Sequence, residues 1–436
     1  MYLRTLKLRN FRCFEEITID FHDRLSVIVG SNGAGKTSVL EGAAVSMGTL
    51  FTAMDGLSGL SISKRDARLK AYLLGNSSDV QPQYPVEIAA VGVENGTSVE
   101  WKRSLKGEGG STTIKDARDM TDIAKGYQER LRAGDPALIL PVIAYYGTGR
   151  LWDYHREKKN DTFKKNTRTN GYIDSLDGTA NIKLMMNWFE KKTVQKYQRQ
   201  EQGLGPIPEL EAVYRAMEDC YIRITGCEDV KIQYSMDTKE LNVYYTDENG
   251  LRTSIPLNQL SDGYKSTISL IADIAYRMAV LNPQLLGDVT KETGGIILID
   301  EVDLHLHPAW QQRILQDLQE IFPKVQFIVS THAPAVISSA KSENLLILKD
   351  YQIFGVNAQI YGNDTNSILN EIMEVPERHP DIAGLFEQFN RYLVEKRYDC
   401  AEQVLDVIDE KRGYHDKEVA GCRVKLKLER IRGGKA

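Results

Sequence analysis

The chain has 436 residues, a net charge of −5 and an isoelectric point near 5.9, so no general basic field points to nucleic acid. Hydrophobic residues make up 42% and charged residues 26%, as in globular proteins. The opening, MYLRTLKLRN, lacks a signal-peptide core, and no stretch approaches the ~20 apolar residues of a membrane span. The five cysteines include no CxxC pair, so we expect reduced thiols and a cytoplasmic protein. We also expect no membrane partner.

The first motif is a glycine-rich loop between a predicted strand, residues 24–29 (RLSVIV), and a predicted helix. Glycines let backbone N–H groups turn onto phosphates, and the positive end of the following helix points at the same anion. Lys36 is expected to reach the β and γ oxygens of a nucleotide, and Thr37 to place its hydroxyl on Mg²⁺. The loop residues expected to bind nucleotide are Gly30, Ser31, Asn32, Gly33, Ala34, Gly35, Lys36, Thr37 and Ser38.

The middle of the chain begins with a predicted hairpin at 86–105, which turns at Asn95 and Gly96. Residues 140–146 (LPVIAYY) predict a strand that leads into GTGR. Residues 153–170 are polar and rich in Lys and Arg, without periodicity. A solvated loop and a contact with DNA or RNA phosphates are both open interpretations of that segment.

Two predicted helices, about 179–201 and 207–224, follow the basic segment. No sustained heptads extend them, which excludes the long coiled-coil arms of chromosome-organising proteins. Residues 260–266 (LSDGYKS) then form a polar turn before a helix predicted at 263–281. Such a turn by itself is often only a helix cap.

An apolar run at 296–299 predicts a strand buried on both faces that ends in Asp300 and Glu301. The carboxyl ends of parallel strands are where ligands bind. Asp300 is expected to hold Mg²⁺, and Glu301 to act as the general base that orients water. Two acids at a strand end can also be simply solvated, but the phosphate loop favours the functional interpretation.

Histidines follow two of the predicted strands. His332 comes just after the strand 325–330 (VQFIVS), where it can sense a γ-phosphate by hydrogen bonding. His305 and His307 form an HxH pair, for which no third metal ligand is evident, so we favour packing or interface roles.

The chain closes with a predicted strand at 344–350, a turn and helix at 360–373, and three further helices. The last three are expected near 381–396, 398–412 and 416–432, with apolar stripes typical of an interaction or capping module.

GSNGAGKTS, LSDGYKS, IILIDE, VDLHLHP and STHAP together resemble the ABC-type ATPase heads of the SMC, RecF and overcoming-lysogenization-defect group. The resemblance implies an α/β fold: an ABC-type P-loop ATPase head with an antiparallel β-subdomain, a helical insertion and a C-terminal helical module. It implies ATP and Mg²⁺ as cofactors, and a dimer or larger even assembly. In such heads the signature turn, here Ser261, Asp262 and Gly263, closes on the ATP held by a second molecule.

The same resemblance implies that Arg12, in LKLRNFRCF, contacts nucleotide and that Asp303 lies in a loop that crosses the dimer. The sequence departs from the pattern in one respect, because no convincing glutamine loop stands between the phosphate loop and the signature. Residues 147–150 are the candidates for its place, with Arg150 as a phosphate or interface contact or simply a surface residue.

Within the group, LPVIAYYGTGRLW, VDLHLHP, IYGNDTNSIL and the helical tail most resemble the PtuA-like ATPases of Septu and retron anti-phage systems. This implies an ATPase scaffold that works with a separate HNH nuclease. The tail lacks the strand-borne glutamate and DxD pair of a nuclease domain, so no nuclease activity of its own is expected. A RecF-like clamp that binds DNA in an ATP-dependent way is the alternative.

We therefore expect four regions along the chain. They are 1–150, the N-terminal half of the head with the phosphate loop and β-subdomain; 151–228, a mobile loop and helical insertion; 229–350, the C-terminal half with signature, acid pair and histidine loop; and 351–436, a helical interaction tail.

Overall fold

The computed structural model describes residues 1–74, 77–151, 167–178, 182–246, 250–355, 361–362, 368, 379–412 and 417–433. The chain divides into two compact units, Met1–Asn363 and Asp364–Ala436. Most of the predicted basic segment 153–170 and of the predicted helix 360–373 lies outside the described residues. None of the described helices is both long and apolar enough to span a membrane.

The strands and helices are as follows. The strands are β1 (Tyr2–Phe11), β2 (Phe14–Asp20), β3 (Leu25–Val29), β4 (Leu69–Leu74), β5 (Ser77–Pro82), β6 (Val86–Glu94), β7 (Thr97–Leu105), β8 (Val142–Tyr146), β9 (Lys231–Ser235), β10 (Glu240–Thr246), β11 (Arg252–Pro256), β12 (Gly295–Ile299), β13 (Val325–Thr331), β14 (Leu345–Lys349) and β15 (Gln352–Gly355). The helices are α1 (Lys36–Met47), α2 (Arg118–Arg132), α3 (Ile182–Glu201), α4 (Pro208–Thr225), α5 (Asp262–Leu281), α6 (Val289–Glu292), α7 (Pro308–Gln311), α8 (Ile314–Ile321), α9 (Pro334–Ser339), α10 (Pro380–Val394), α11 (Tyr398–Arg412) and α12 (Lys417–Gly433).

The six-stranded sheet of the first unit has the order β15-β14-β3-β13-β12-β8. All its neighbouring strands are parallel except β14 and β15. Every residue of β3, β8, β12 and β13 is buried, as expected for parallel strands covered on both faces. Because these strands run in the same direction, the segments that follow them meet at one edge of the sheet.

An antiparallel sheet, β2-β1-β6-β7, forms the predicted β-subdomain. Its β6–β7 hairpin turns at Asn95 (φ 48°) and Gly96 (φ 78°), which confirms the predicted turn. The sheet is tied to α1, since the Trp101 indole N–H donates to the Ser46 carbonyl at 3.0 Å and Arg103 donates to the Val45 carbonyl at 3.0 Å. The phosphate loop and the subdomain are thus joined through one helix.

The helical insertion packs into the first unit rather than forming an arm. The apolar face of α4, with Leu210, Val213 and Met217 buried, lies against α5. A three-stranded sheet of order β11-β10-β9 contacts α4. The contact includes a hydrogen bond from the Ile232 N–H of β9 to Glu218 Oε1 of α4, at 2.9 Å. The insertion therefore supports the helix that begins at the signature turn.

The second unit contains α10, α11 and α12 around a small apolar core. Its buried members are Phe386, Phe389, Ala401, Leu405, Ile408, Val419 and Leu426. This is the C-terminal helical module that the sequence predicts.

Candidate nucleotide-binding site

The loop between β3 and α1 has the conformation that its glycines allow. Gly33 (φ 83°) and Gly35 (φ 107°) are left-handed. A Cβ on Gly35 would lie 2.6 Å from the Phe14 ring and 2.8 Å from Cys13 Sγ, so this position has no room for a side chain. Within this described loop no side chain caps α1, which leaves its N-terminal N–H groups and dipole to face an anion.

Lys36 is buried, with 6% of the residue exposed, and lies across the loop. Its Nζ donates to the carbonyls of Gly30 at 2.7 Å and Ser31 at 3.0 Å. Burial lowers the pKa of Lys36, while the nearby carboxylates, led by Asp300 and Glu301, oppose that shift. The negative charges of the acid pair therefore act on the Lys36 amine. Among the other predicted loop residues, Ser31 and Asn32 are exposed to solvent, and Ala34 and Ser38 are half-buried.

Thr37 and Asp300 meet directly, although 263 residues separate them in the chain: Thr37 Oγ1 donates to Asp300 Oδ2 at 2.7 Å. The other oxygen, Asp300 Oδ1, accepts from Ser330 Oγ at 2.5 Å. Asp300 is 1% exposed, and its N–H donates to the Tyr146 carbonyl at 2.8 Å. The first turn of α1 and the end of β13 thus hold this carboxylate, while β8 holds its backbone.

Glu301 is half-buried and left-handed (φ 46°), a conformation that costs free energy for a residue with a side chain. Its N–H donates to Ser330 Oγ at 2.8 Å, so the Ser330 hydroxyl holds both members of the acid pair. Ser330 was not predicted as a site residue. The only sequence signal for it was its place at the start of STHAP, immediately after an apolar strand.

Asp303 and His332 lie beside the acid pair. The Thr331 hydroxyl donates to Asp303 Oδ1 at 2.5 Å, and His332 Nδ1 lies 3.8 Å from Asp303 Oδ2. The His332 side chain is 45% exposed, so it faces the open side of the site. The loop, the acid pair and the histidine are therefore brought together as predicted.

Arg12 contacts α1 and the segment before β4. Its guanidinium forms an ion pair with Glu41, and its Nε donates to Asp66 Oδ1 at 3.0 Å. The side chain is about one-third exposed and next to Cys13, which touches the phosphate loop. Its predicted contact with nucleotide stays a prediction, since both acidic partners already hold the guanidinium.

The signature turn does not join this cluster. Ser261 and Asp262 are exposed, Ser261 makes no side-chain cap, and Asp262 pairs only with Lys265 at 3.0 Å among the described residues. A Cβ on Gly263 would lie 2.6 Å from the His305 carbonyl oxygen, so this glycine permits close contact with the loop that follows Asp303. The turn and that loop form one surface.

The HxH pair lies in the same loop. His307 Nδ1 accepts from the Ala309 N–H at 3.3 Å and so caps α7, and the His307 ring lies 5.9 Å from that of Trp310. Trp310 in turn contacts Tyr264 of α5, with 4.3 Å between ring centroids. Nowhere in the described ranges do three or more His, Cys, Asp or Glu side chains form a group that could hold a metal.

A buried polar cluster connects the edge of the sheet to α5. The Tyr146 hydroxyl donates to Asp273 Oδ2 at 2.7 Å, and Arg277 Nε donates to the same oxygen at 2.7 Å. Burial raises the pKa of Tyr146, so the hydroxyl remains a donor. Since the Tyr146 carbonyl also accepts from the Asp300 N–H, this residue links the acid pair to the signature helix. Tyr146 was not predicted as a site residue.

Residues 147–150, the candidates for the place of a glutamine loop, directly follow β8. Gly147 follows the strand that neighbours β12, and its N–H donates to the Gly178 carbonyl at 2.7 Å. A short 3₁₀ turn, Thr148–Leu151, follows. The Arg150 side chain lies outside what the structure describes, so its predicted role stays a prediction.

The residues present fit a magnesium nucleotide. Thr37 and Asp300 offer hydroxyl and carboxylate oxygens 2.7 Å apart, the hard ligands that Mg²⁺ prefers. Mg²⁺ usually takes only one or two protein ligands and completes its shell with water and phosphate oxygens.

A phosphate loop after β3 and an acid pair after β12, two parallel strands separated by β13, with an antiparallel subdomain on the loop helix, define an ATPase head of the ABC type. A profile of the AAA domain family matches residues 5–224, about half of the chain. A second profile, described as AAA domain, putative AbiEii toxin, Type IV TA system, matches residues 150–338. The chain therefore belongs to the AAA domain family.

The relatives extend this likeness along most of the chain. "Retron Ec83 probable ATPase" from Escherichia coli is 27% identical over 453 residues, covering 90% of this chain and 80% of that protein. "Septu protein PtuA" from Bacillus thuringiensis is 24% identical over 423 residues, covering 91% and 90%. These matches confirm the predicted relation to retron and Septu ATPases, and they mark the chain as an ATPase.

Two further similarities are more limited. A stretch of 41 residues is 46% identical to "DNA replication and repair protein RecF" from Lactococcus lactis subsp. lactis, covering 9% of this chain and 12% of that protein. The SMC head domain from Thermotoga maritima matches with a TM-score of 0.41 and 19% identity, covering 82% of this chain and 100% of that chain.

Proposed function

We propose that this chain hydrolyses ATP at a site shared between two copies of itself, and that the nucleotide state controls a separate nuclease in a bacterial anti-phage defence complex. The observation that carries the proposal is the contrast within one chain between an assembled half-site and an exposed signature turn. Lys36, Thr37 and Asp300 meet, while Ser261 and Asp262 face outward.

The chemistry assigns one task to each group. Lys36 and the N–H groups of the loop neutralise charge that develops on the transferred phosphoryl group. Thr37 and Asp300 would hold Mg²⁺, which would supply further charge neutralisation when bound. Glu301 orients the attacking water and accepts its proton, and His332 donates a hydrogen bond to the γ-phosphate. Contacts of this kind cost about 3–4 kcal/mol each when removed.

The signature turn serves the nucleotide of the second copy. Ser261 offers a hydroxyl without a capping bond, and α5 offers an uncapped positive end. Gly263 places this turn against the loop after Asp303, so both move as one surface when two copies close. ATP then stabilises the closed dimer and hydrolysis releases it, which couples the nucleotide site to a partner site.

The defence role rests on the relatives named as a retron ATPase and as Septu PtuA. We place the protein in the bacterial cytoplasm, with a separate HNH-type nuclease as its partner. The second unit, 364–436, is the proposed contact region for that nuclease. Residues 153–170 are the proposed contact for DNA or RNA, mainly through a part that lies outside the described residues.

A mixing experiment tests the shared site. Lys36→Ala removes the loop amine, and Ser261→Arg blocks the signature turn, so each variant alone should be inactive. After subunit exchange, mixed dimers contain one site with an intact loop from one copy and an intact signature from the other. About a quarter of wild-type activity should return, because half the dimers are mixed and half their sites are intact.

A site within one chain predicts no recovery in the mixture, and that outcome would exclude the shared site. Ser254→Arg, on the exposed side of β11, is the matched control and should retain full activity by itself. Circular dichroism of each variant checks that the fold is intact.

A RecF-like DNA clamp is the second candidate, favoured by the 41-residue similarity. It predicts ATP-dependent DNA affinity that falls steeply with salt. A pull-down of the chain from its native locus separates the two candidates. A co-purifying nuclease supports the defence role, whereas DNA and repair proteins without a nuclease support the clamp.

A further inference from the structure

The last helix, α12, has two apolar faces. Val419 and Leu426 are 1% and 3% exposed and belong to the core of the second unit. Val424, Leu428 and Ile431 are 58%, 53% and 59% exposed. Because residues nine apart lie about 180° apart on a helix, Leu428 is directly opposite Val419. We call Val424, Leu428 and Ile431 the outer seam.

The outer seam has the spacing of a coiled-coil contact line. Its residues are separated by four and then three positions, the d–a–d pattern of a heptad. All three are large and aliphatic, with two β-branched residues at d and leucine at a. A solvent-facing helix surface needs none of these side chains, so this pattern indicates a second helix packed along α12.

The charges beside the outer seam identify what kind of helix fits. Lys425 and Lys427 occupy the e and g positions, and neither forms a hydrogen bond or ion pair within the described part of the chain. The arginines of the same helix are used differently. Arg423 pairs with Asp406 at 2.8 Å and Arg430 with Asp399 at 2.5 Å, both on α11. The arginines hold the second unit together and the lysines do not.

Self-pairing of the outer seam is disfavoured by these lysines. In an antiparallel pair of α12 helices, e faces e and g faces g, which sets lysine against lysine and is repulsive. In a parallel pair, Lys427 at g faces the e position five residues later in the other copy, which is an arginine in the sequence, so basic residues again oppose each other. A helix with acidic residues at e and g attracts Lys425 and Lys427 instead. The two lysines therefore disfavour pairing of α12 with a second copy and favour an acidic partner helix.

We propose that the outer seam binds an amphipathic helix of another protein whose flanking positions carry Asp or Glu. The outer seam lies in the unit proposed above as the contact region for a nuclease, so the proposal deepens that part of the proposed function, although the seam needs neither ATP nor the closed dimer. Its binding can be measured without nucleotide, and failure of the mixing experiment above does not affect it.

The test uses two synthetic helical peptides with leucine at a and d. One carries glutamate at e and g, and the other carries lysine. Fluorescence anisotropy with the full chain should show binding of the acidic peptide, at least about tenfold tighter than the basic one and weakened by salt. Leu428→Glu should abolish binding. Val394→Glu, at a more exposed apolar residue of α10 outside the seam, should leave it unchanged.

The charge-swapped variant Lys425→Glu/Lys427→Glu gives the sharpest result, because it should reverse the preference and select the basic peptide. Equal binding of both peptides, or no binding of either, would overturn the proposal. So would self-association of the wild-type chain, measured by light scattering, that Leu428→Glu removes. Unchanged circular dichroism and ATPase rate show that the variants remain folded.

Discussion

The acid pair and the signature turn belong to one compact unit but use their side chains in opposite ways. Asp300 is nearly fully buried, and each of its oxygens is held by a hydroxyl from a neighbouring element. Ser261 is exposed, and its hydroxyl makes no hydrogen bond with the described residues. The polar groups of the acid pair have their hydrogen-bond partners within the chain. Those of the signature turn are exposed and can bind a group on another molecule. A site divided in this way can be assembled and disassembled by moving whole molecules, without disturbing either half.

The largest effect is expected at Glu301. Glu301→Gln keeps the shape of the side chain but removes its ability to accept a proton, so kcat should fall about 10²–10³-fold, or about 3–4 kcal/mol. ATP binding should persist, since Lys36 and the loop are unchanged. Phosphate release and nucleotide binding measure the two quantities. Glu100→Gln, on the exposed side of β7, is the control, and a wild-type rate for Glu301→Gln would remove Glu301 from the mechanism.

A substitution at Ser330 tests whether the position of the acid pair depends on the Ser330 hydroxyl. Ser330→Ala removes the donor to Asp300 and the acceptor from the Glu301 N–H, one buried and one partly buried hydrogen bond that together contribute about 2–3 kcal/mol. Chemical denaturation should show that loss, and kcat should fall as well because the acid pair is no longer fixed. Ser338→Ala loses only a bond to the Ala335 carbonyl and should change neither quantity much.

Tyr146 tests the connection between the two regions. Tyr146→Phe removes one hydrogen bond to a buried carboxylate, which is expected to cost about 1.5–2.5 kcal/mol of stability. Tyr276→Phe is the matched control, because Tyr276 is equally buried on α5 and its hydroxyl has no hydrogen-bond partner in the described structure. Equal stability of the two variants would show that the Tyr146–Asp273 bond is of no consequence.

Gly263 tests the surface beside the signature turn and is expected to give the smallest loss. A methyl group there would meet the His305 backbone carbonyl at 2.6 Å, so Gly263→Ala should destabilise the fold by about 1–2 kcal/mol. At Gly126 of α2 a methyl group meets nothing within 4 Å, and Gly126→Ala should instead stabilise by about 0.5–1 kcal/mol. Thermal unfolding should show a lower stability for Gly263→Ala and a higher one for Gly126→Ala. An unchanged stability of Gly263→Ala would mean that the His305 backbone moves away from the added methyl group at little cost.

The central strands could be predicted because each is an unbroken apolar run that ends in a polar motif. β12 and β13 are two examples, and the acid pair follows directly from the first. Less distinct patterns escaped prediction. β9 (KIQYS) and β11 (RTSIP) are short and half polar, and α2 carries a glycine at 126 and only three buried residues.

Contacts between distant parts of the chain could not be predicted either. The role of Ser330 depends on β12 and β13 being neighbours, which no local pattern reveals. The Tyr146–Asp273 bond joins residues 127 positions apart, and a buried tyrosine in an apolar run gives no sign that its hydroxyl has a carboxylate partner. Sequence pattern locates the elements, whereas these hydrogen bonds depend on how the elements are arranged.

The strand order has a consequence for synthesis of the chain. β3, at residues 25–29, lies between β13 and β14, which begin at residues 325 and 345. At about 5–20 residues per second, a ribosome needs roughly 15–60 s after β3 emerges before either neighbour exists. Throughout that interval an apolar strand has two unpaired edges, a state that favours aggregation and calls for protection by a chaperone. The phosphate loop likewise stays without Asp300, so the growing chain lacks the Thr37–Asp300 pair until more than two-thirds of it has been made.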